Sequence, residues 1–220
     1  MSDRIKSITD AATYLFLQQG YSKTQISHIA KAVGVSVGTI YLDFAGKKEI
    51  MHFVVKCTID PAFINQNFER PITDDLFVGL ENDIIAVFEK IGSDFAKHLV
   101  NKAADYDLET LVSDVFDILA QYAVGCLFIE KNQFDFKFLA EHYRAYRKKF
   151  LETMTQYLTA FVESGKVRPL EQLELTTTLI IEILSWWAMD IRYTSFETQD
   201  IPPELAKKIC IDNIISAYKS

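Results

Sequence analysis

The sequence predicts an all-α protein of about nine helices. Apolar residues recur at spacings of three and four along most of the chain, which is the period of an amphipathic helix. Only five prolines and eight glycines interrupt its 220 residues, and no segment has a convincing strand pattern. Because 49% of the residues are apolar, a chain of this length can bury a sizeable core.

Four short helices are predicted in residues 1–60. The first carries an apolar stripe from Ile5 to Phe16. Thr24 and Ser36 stand where the N-caps of the second and third helices belong, and the fourth covers about residues 47–60. Each helix ends at residues that break helices: Gly20, Gly34, Gly46 and Asp60-Pro61.

A loop with two prolines, from Asp60 to Asp75, separates these helices from longer ones. The longer helices are expected at about residues 76–104, 108–130, 134–164, 170–193 and 203–218. We therefore expect an N-terminal domain over residues 1–50, a connecting fourth helix, and a larger helical domain over residues 51–220.

Charge is distributed unevenly along the chain. The net charge is −7, yet residues 1–56 hold seven basic and four acidic side chains, a net charge of +3. The remaining residues therefore carry a net charge of −10. A basic N-terminal region on an acidic body fits local contact with phosphate groups.

The stretch around Gly34 predicts a helix-turn-helix. Gly34 can adopt the left-handed conformation that turns the chain sharply between two short helices. Gly38 and Thr39 are small, so the start of the third helix can approach another surface closely. Its free N–H groups suit a phosphate, and its small residues fit a DNA major groove.

These residues resemble the DNA-binding domain of the TetR family of transcriptional regulators. The similar stretch is AATYLFLQQGYSKTQISHIAKAVGVSVGTIYLDFAGKKEI, in the first quarter of the chain. Beyond it, the chain is similar to the family only in size and helical character. The resemblance implies a homodimer that binds a palindromic operator, usually as a repressor, and that a small molecule in the C-terminal domain releases.

The resemblance also implies which residues contact DNA. Thr24, Lys47 and the hydroxyl of Tyr41 would contact phosphates. Thr39 is the best candidate for a base contact, and Val37 for a methyl contact with thymine. Tyr41 could instead be a half-buried anchor, and the lysines an ordinary solvated surface. The full set is Thr24, Ser36, Val37, Gly38, Thr39, Tyr41, Lys47 and Lys48.

Two departures from the family pattern bear on DNA binding. Asp43, in Leu42-Asp43, stands where the family often has an aromatic residue or His. Its charge is expected to repel phosphate unless it pairs with Lys47 or Lys48. In addition, Val37 and Gly38 offer little hydrogen-bonding capacity to base edges, so recognition is expected to depend partly on DNA shape.

The aromatic residues of the larger domain predict either core packing or a ligand cavity. Glu182, Trp186 and Asp190 share one helix face, where carboxylates beside an indole would suit a cationic ligand. Alternatively, the two acids pair with Arg192 or with basic residues of the preceding long helix. The candidate residues for an apolar or aromatic effector, which can carry positive charge, are Tyr122, Tyr146, Phe150, Glu182, Trp186 and Asp190.

The last two helices carry more apolar residues than one core can cover. Exposure of the remainder would be a liability in a monomer, and a four-helix interface with a second copy would bury it. The predicted interface residues are Ile180, Leu184, Trp187, Ile191, Ile211, Ile214, Ile215 and Tyr218.

The sequence shows no catalytic or metal-binding pattern. The four histidines lack metal spacing, and neither a nucleophile elbow nor a phosphate loop occurs. Three distant cysteines and an N-terminus without a long apolar run favour a reducing cytoplasm. We expect no enzyme activity, no cofactor and no membrane span.

A second interpretation stays open at this point. The chain could be a helical small-molecule binding protein whose N-terminal region binds DNA weakly or not at all. Asp43 is the feature that favours this alternative, because a carboxylate near the DNA would oppose binding.

Overall fold

The computed structural model describes residues 3–220, most of which are helical. Within this range the α-helices are labelled α1 to α10 in chain order. Their bounds are Asp3–Gln18, Ile26–Val33, Val37–Asp43, Lys47–Ile59, Leu80–Ala96, Leu108–Lys131, Lys137–Glu163, Leu173–Ser185, Ile191–Tyr193 and Pro203–Tyr218.

The helices α8 and α9 belong to one continuous segment. A π-helical turn, Trp186–Asp190, joins them without a break. The described residues therefore form nine helical segments, and the prediction of an all-α fold with about nine helices is confirmed. Between described residues the β contacts are two isolated bridges, Phe44 with Ile72 and Val167 with Lys219.

The predicted helix over residues 76–104 is shorter in the structure. α5 ends at Ala96 and passes into a 3₁₀ turn, Lys97–Asn101. Lys102 and Ala103 then take positive φ angles, which no α-helix can contain. The Lys166 ammonium donates to the carbonyls of Ala103, Ala104 and Tyr106, at 2.8 to 3.1 Å. This distant lysine stabilises the irregular turn through its carbonyls, a contact that local periodicity cannot reveal.

The chain divides into two compact units. The first comprises the described residues up to Ile85 together with Val124–Ala140. The second comprises Ala86–Ala123 and Glu141–Ser220. This division replaces the predicted boundary at residue 50, because α4 and the segment 124–140 pack with α1 and α2 rather than with the later helices.

The core of the first unit is built on α1, α2 and α4. Ile8, Phe16 and Ile29 are fully buried where these helices meet. The segment between α4 and α5, predicted as a loop, adds an aromatic cluster whose ring centroids lie 5.0 to 6.5 Å apart. Its members are Phe53, Phe63, Phe68 and Phe77.

Residues 124–140 pack on the turn between α1 and α2. Asn132 is buried, and its side-chain oxygen accepts a hydrogen bond from the Tyr21 amide at 2.6 Å. Phe128 packs against Phe16, and Phe136 packs edge-on against Tyr21. The break predicted at Lys131-Asn132-Gln133 therefore also holds the N-terminal helices in place.

The core of the second unit is aromatic. Tyr157 and Phe161 of α7 are fully buried, and the Tyr157 hydroxyl donates to the carbonyl of Phe95. Phe95 in turn stacks on Phe150 at a centroid distance of 4.7 Å. About half of the aromatic residues that the sequence offered as core or cavity lining are buried in the core.

One helix among the described residues, α6, is long and apolar enough to cross a membrane by length and composition. Several of its apolar side chains, including Leu111, Val112 and Val115, are fully buried against the rest of the protein. Because 44% of its apolar stretch is buried, packing inside the protein accounts for part of this composition.

Candidate DNA-binding site and effector cavities

The helix-turn-helix is present in the predicted place. Gly34 is left-handed, with φ 78° and ψ 30°, and the turn amides donate back to the carbonyls of Ala30 and Lys31. Ser36 caps α3, since its hydroxyl accepts a hydrogen bond from the Thr39 amide at 3.1 Å. The predictions for Gly34 and Ser36 are confirmed.

The first turn of α3 forms an open, nearly uncharged surface. Ser36, Val37 and Gly38 are exposed, while Thr39 is partly exposed. The Thr39 and Ser36 hydroxyls lie 2.9 Å apart and share a hydrogen bond. Tyr41 is half exposed, which is compatible both with a phosphate contact and with the half-buried anchor that the sequence left open. A phosphate or base edge can reach these groups without rearrangement of the turn.

Thr24 does not have the predicted role. Gln25, not Thr24, is the N-cap of α2, in a reciprocal capping box with His28. The Thr24 side chain is 0% exposed, and its hydroxyl donates to the Gly20 carbonyl and accepts from the Gln19 amide group. Because the hydroxyl is enclosed and engaged, Thr24 is removed from the predicted phosphate contacts.

The two lysines that begin α4 are both engaged within the first unit. The Lys47 ammonium donates to the Tyr21 carbonyl at 2.9 Å and lies 4.1 Å from the centre of the Tyr21 ring. The Lys48 ammonium pairs with Asp74 at 2.5 Å, and this contact raises the pKa of Lys48. Lys48 remains more than half exposed, so a phosphate can still reach it.

The side chain of Asp43 does not lie on the DNA-facing surface, where the sequence suggested it. Its side chain is 0% exposed and pairs with Arg4 of α1 and with Arg70, instead of with Lys47 or Lys48. The expectation that its charge faces the DNA is therefore wrong. Helical periodicity contained a signal: Asp43 follows buried Ile40 by three residues, which puts both side chains on the same face.

Residues 8–53, about a fifth of the chain, match the model of bacterial regulatory proteins of the tetR family. The match contains α2, the Gly34 turn and α3. Residues 8–53 are thus similar to the DNA-binding region of tetR-family regulators.

Curated relatives that resemble this chain are regulators. The fatty acid metabolism regulator protein of Bacillus subtilis is 26% identical over 190 residues, which cover 83% of this chain and 82% of that protein. The IcaR negative regulator of the biofilm operon icaADBC in Staphylococcus aureus is 33% identical over 87 residues. That match covers 38% of this chain and 47% of IcaR.

Solved structures share the fold over the whole chain. The ketosteroid regulator KstR2 of Mycobacterium tuberculosis aligns with 100% of this chain and 97% of its own, with a TM-score of 0.56 and 14% identity. The probable transcriptional regulatory protein RHA5900 aligns over 97% of both chains, with a TM-score of 0.54 and 17% identity.

The protein is thus a DNA-binding transcriptional regulator, with the helix-turn-helix in its first unit. Its relatives act as regulators. Among residues 3–220, no group of three or more His, Cys, Asp and Glu side chains is arranged to hold a metal ion.

The six predicted effector residues do not meet in one cavity. Glu182, Trp186 and Asp190 line a shallow pocket of about 380 Å³ on α8 and the π turn. Glu182 pairs with Arg147 of α7 at 3.3 Å, which is the alternative that the sequence left open. Tyr146 stacks on Phe88 at 5.0 Å, and Phe150 is buried against Phe95, so neither is placed at this pocket.

Tyr122 lines a different cavity of about 310 Å³, between α5 and α6, which we call the α5–α6 cavity. Its walls include a parallel stack of the His98 and Tyr106 rings, 4.3 Å apart. Three carboxylates also line it: Asp94, Asp114 and Asp117. Asp114 accepts a hydrogen bond from the Tyr106 hydroxyl at 2.6 Å, and burial is the main cause of the raised pKa of Tyr106.

A third cavity, of about 350 Å³, lies wholly in the first unit, and we call it the α4 cavity. Its interior is apolar, with Met51, Phe77 and Leu139 among its lining residues. Lys48 and His52 line it as well, and both contact Asp74, at 2.5 and 2.7 Å. Local sequence patterns do not indicate this cavity, because its lining comes from three separate segments.

The predicted dimer residues need a correction. Ile180, Leu184, Ile191 and Ile214 are buried within the subunit, so they cannot form an interface. The apolar side chains that α8 and its π turn expose are instead Leu175, Leu179 and Trp186, and α10 exposes Leu205. Spacing identifies an apolar face but cannot say which of two such faces meets the subunit's own core. The partly exposed members of the predicted set are Trp187, Ile211, Ile215 and Tyr218.

Proposed function

We propose that this protein is a homodimeric repressor that leaves a palindromic operator when a small molecule binds. The observation that carries the proposal is the open first turn of α3, capped by Ser36, in a TetR-family DNA-binding domain. A helix presented in this way enters a major groove, and two copies read half-sites about one helical turn apart. We expect the protein to act in the cytoplasm, by binding rather than by catalysis.

The DNA contacts are proposed to come mainly from α3 and the start of α4. Thr39 and Val37 are the candidates for contacts with bases, and Tyr41, Lys47 and Lys48 for contacts with phosphates. Their exposure and position support this assignment. Because few of these groups form hydrogen bonds with bases, we expect DNA shape to supply part of the specificity.

The dimer is proposed to form through the outer face of α8. Leu175, Leu179 and Trp186 are spaced by four and seven residues, so they lie on one face. All three side chains are about half exposed or more, and a run of large apolar groups of this kind marks an interaction surface.

The effector is proposed to bind in the α5–α6 cavity. Lys97 also lines this cavity, and Asp117 pairs with Lys207 at 2.6 Å. The carboxylates of Asp94 and Asp114, beside the rings of Tyr106 and Tyr122, favour an aromatic or apolar organic cation. The volume of about 310 Å³ is suited to a small ligand.

A specific observation favours a second candidate effector. One relative that matches 83% of the chain is a fatty acid metabolism regulator. The apolar α4 cavity, with Lys48 and His52 in its lining, would suit an acyl chain with an anionic head group. The two candidates differ in charge and in cavity, so one experiment can separate them.

The alternative of a binding protein without DNA affinity loses its main support. Asp43 was the reason to consider it, and the burial of Asp43 between two arginines keeps its charge away from a bound duplex.

The first test is selection of a binding site from a pool of random duplexes at physiological salt. We expect one palindromic sequence to be enriched, and its binding to weaken steeply as salt rises, since several phosphates are contacted. The substitution Thr39→Val should weaken or alter the selected sequence, whereas Thr198→Val, exposed in the segment between α9 and α10, should not. Failure to enrich any sequence, with or without cell extract, would contradict the regulator proposal.

The second test uses two effector probes, tetraphenylphosphonium and dodecanoate, in a thermal shift assay and in a release assay with the selected duplex. Asp94→Asn should weaken the response to the cation only, and Met51→Glu the response to the carboxylate only. A response to neither probe would argue against both cavities, while the DNA selection would still stand.

A further inference from the structure

The last residue of α3, Asp43, lies in an unusual environment. α3 has only seven residues, and Asp43 is its only charged one. A carboxylate at the C-terminal end of a helix is unfavourable, because it adds to the negative end of the helix dipole. A buried carboxylate also needs partners, since an uncompensated buried charge strongly destabilises a fold. Something outside α3 must therefore stabilise this residue.

Two arginines from different parts of the first unit supply that compensation. Arg4 of α1 contacts Asp43 through Nε and, at 2.9 Å, through a terminal nitrogen, in a bidentate pair. Arg70, in the segment between α4 and α5, donates at 3.0 Å to Oδ1, the oxygen that also accepts a hydrogen bond from the terminal nitrogen of Arg4. The hydrogen bond with Asp43 also raises the pKa of Arg4.

The backbone around Asp43 is held by the same segment. The Ile72 amide donates to the Asp43 carbonyl at 2.8 Å, and the Ala45 amide donates to the Ile72 carbonyl at 2.9 Å. Ile72 is itself buried, so the segment is packed against the end of α3. The residues Arg4, Asp43, Arg70 and Ile72 are called the α3 clamp from here on.

The clamp and the exposed turn lie at opposite ends of α3. The N-terminal end presents Ser36, Val37 and Gly38, and the C-terminal end is fixed by the clamp. A seven-residue helix is too short to be stable alone, so its position depends on tertiary contacts. A small rotation at the clamped end would move the exposed end relative to a groove.

We propose that Arg70 and Arg4 are positioning residues for sequence reading, which they control through Asp43. This inference rests on the proposed role of α3 in DNA binding. According to this proposal, the segment between α4 and α5 sets the orientation of α3. Phosphate contacts made by other residues do not depend on the α3 clamp. Neither arginine was singled out by the sequence for this purpose.

The first experiment needs no DNA. Amide hydrogen exchange is measured on the wild-type protein and on Arg70→Gln, Arg70→Lys and Lys56→Gln. Lys56→Gln is the matched control, because it removes an ion pair with Asp83 in the same unit, away from α3. We expect Arg70→Gln to raise exchange at Phe44, Ala45 and Ile72 by about tenfold or more, with α2 little changed.

The conservative variant and the control make this result specific. Arg70→Lys keeps the charge and one donor, so it should restore protection at Ala45 and Ile72 to near the wild-type level. Lys56→Gln should leave all of these amides unchanged. Wild-type exchange at Phe44, Ala45 and Ile72 in Arg70→Gln would overturn the proposal, whatever the DNA experiments give.

The second experiment compares the selected duplex with the unselected pool. Arg70→Gln removes a positive charge and Asp43→Asn removes a negative one, so electrostatic effects on DNA affinity would have opposite signs. A positioning effect has the same sign in both variants. We expect each to lower affinity for the selected duplex about tenfold while the salt slope stays constant.

Two results would contradict a positioning role. One is an equal loss of affinity for the selected duplex and for the unselected pool. The other is a change of affinity in opposite directions in Arg70→Gln and Asp43→Asn. If the wild-type protein selects no sequence, the proposed function fails, and the exchange experiment still decides whether the clamp holds α3.

Discussion

At the scale of single residues, buried polar side chains decide the shape of the first unit. Thr24, Asp43 and Asn132 are all buried, and each is hydrogen-bonded to a different element or turn. The sequence suggested surface roles for the first two and a chain break for the third. Buried polar groups need partners, and those partners lie up to 111 residues away in the chain.

Two helical glycines offer a matched test of packing. An added Cβ at Gly125 of α6 would lie 2.8 Å from the Thr58 methyl, whose side chain is anchored by a hydrogen bond to the Val54 carbonyl. At Gly92 of α5 an added Cβ meets nothing within 4 Å. Gly125→Ala should therefore lower the free energy of unfolding by about 1 to 3 kcal/mol.

Gly92→Ala serves as the control for this pair. It should raise the free energy of unfolding by about 0.5 to 1 kcal/mol, because alanine favours the helix and no contact opposes it. Urea unfolding followed by circular dichroism measures both. A stabilising effect of Gly125→Ala would show that α4 and α6 are not packed as described at this point.

Cys57 predicts a dependence of stability on alkaline pH. Burial, with smaller contributions from Asp60 and Asp10, raises the pKa of its thiol from 9.0 to about 12. The folded state therefore keeps a proton that the unfolded state loses. The resulting stabilisation is complete below the unfolded pKa and disappears as pH rises toward about 12. Cys57→Ala should consequently lose less stability than wild type between about pH 8 and about pH 10.5.

Urea midpoints at the two pH values measure this difference. Because Cys210 has a pKa of about 11, also raised by burial, Cys210→Ala should show a smaller effect in the same direction. Equal losses in the wild-type protein and in Cys57→Ala would contradict the prediction.

At the scale of elements, the N-cap of α3 contributes both to the stability of the helix and to the surface that is proposed to bind DNA. Ser36 accepts from the Thr39 amide and contacts the Thr39 hydroxyl, so it orders the turn that is proposed to face the DNA. The clamp holds the other end of the same helix. A helix of seven residues supported at both ends can keep a defined orientation without a long apolar face.

Removal of the cap should weaken both stability and DNA binding. Ser36→Ala is expected to lower the free energy of unfolding by about 1 kcal/mol, because the Thr39 amide loses its acceptor. It should also lower affinity for the selected duplex, measured by fluorescence anisotropy. Ser27→Ala is the control, since Ser27 is exposed in α2 and its hydroxyl contacts only the Gln25 side chain, at 3.4 Å. Equal effects of the two substitutions would contradict the role of the cap.

At the scale of the whole molecule, the exposed apolar face of α8 is the feature that a single chain leaves unexplained. Leu175 and Leu179 are 68% and 52% exposed, and Trp186 is 48% exposed. Each half-site of a palindrome needs one copy of α3, so dimer formation and operator recognition are linked.

Leu179→Glu should therefore convert the dimer to a monomer and lower operator affinity by at least about tenfold, because a charge is placed in an apolar interface. Sedimentation equilibrium measures the first effect. Val100→Glu is the control, since Val100 is 91% exposed in the 3₁₀ turn after α5. A Leu179→Glu protein that remains dimeric would place the interface elsewhere.

The sequence by itself determined the helical class, the place of the helix-turn-helix and most helix ends. These features depend on local causes: the period of apolar residues, the left-handed Gly34 and the hydroxyl of Ser36. The family resemblance followed from the same local pattern. The signal that Asp43 is buried was also local, in its spacing from Ile40, although its partners were not.

Only the tertiary structure decided which groups meet across the chain. It paired Asp43 with Arg4 and Arg70, buried Thr24, and turned Ile180 and Leu184 toward the subunit core instead of a partner. It also separated the candidate effector residues into different cavities. Periodicity gives the face of a helix, but the identity of the surface that covers this face depends on contacts between residues far apart in the chain.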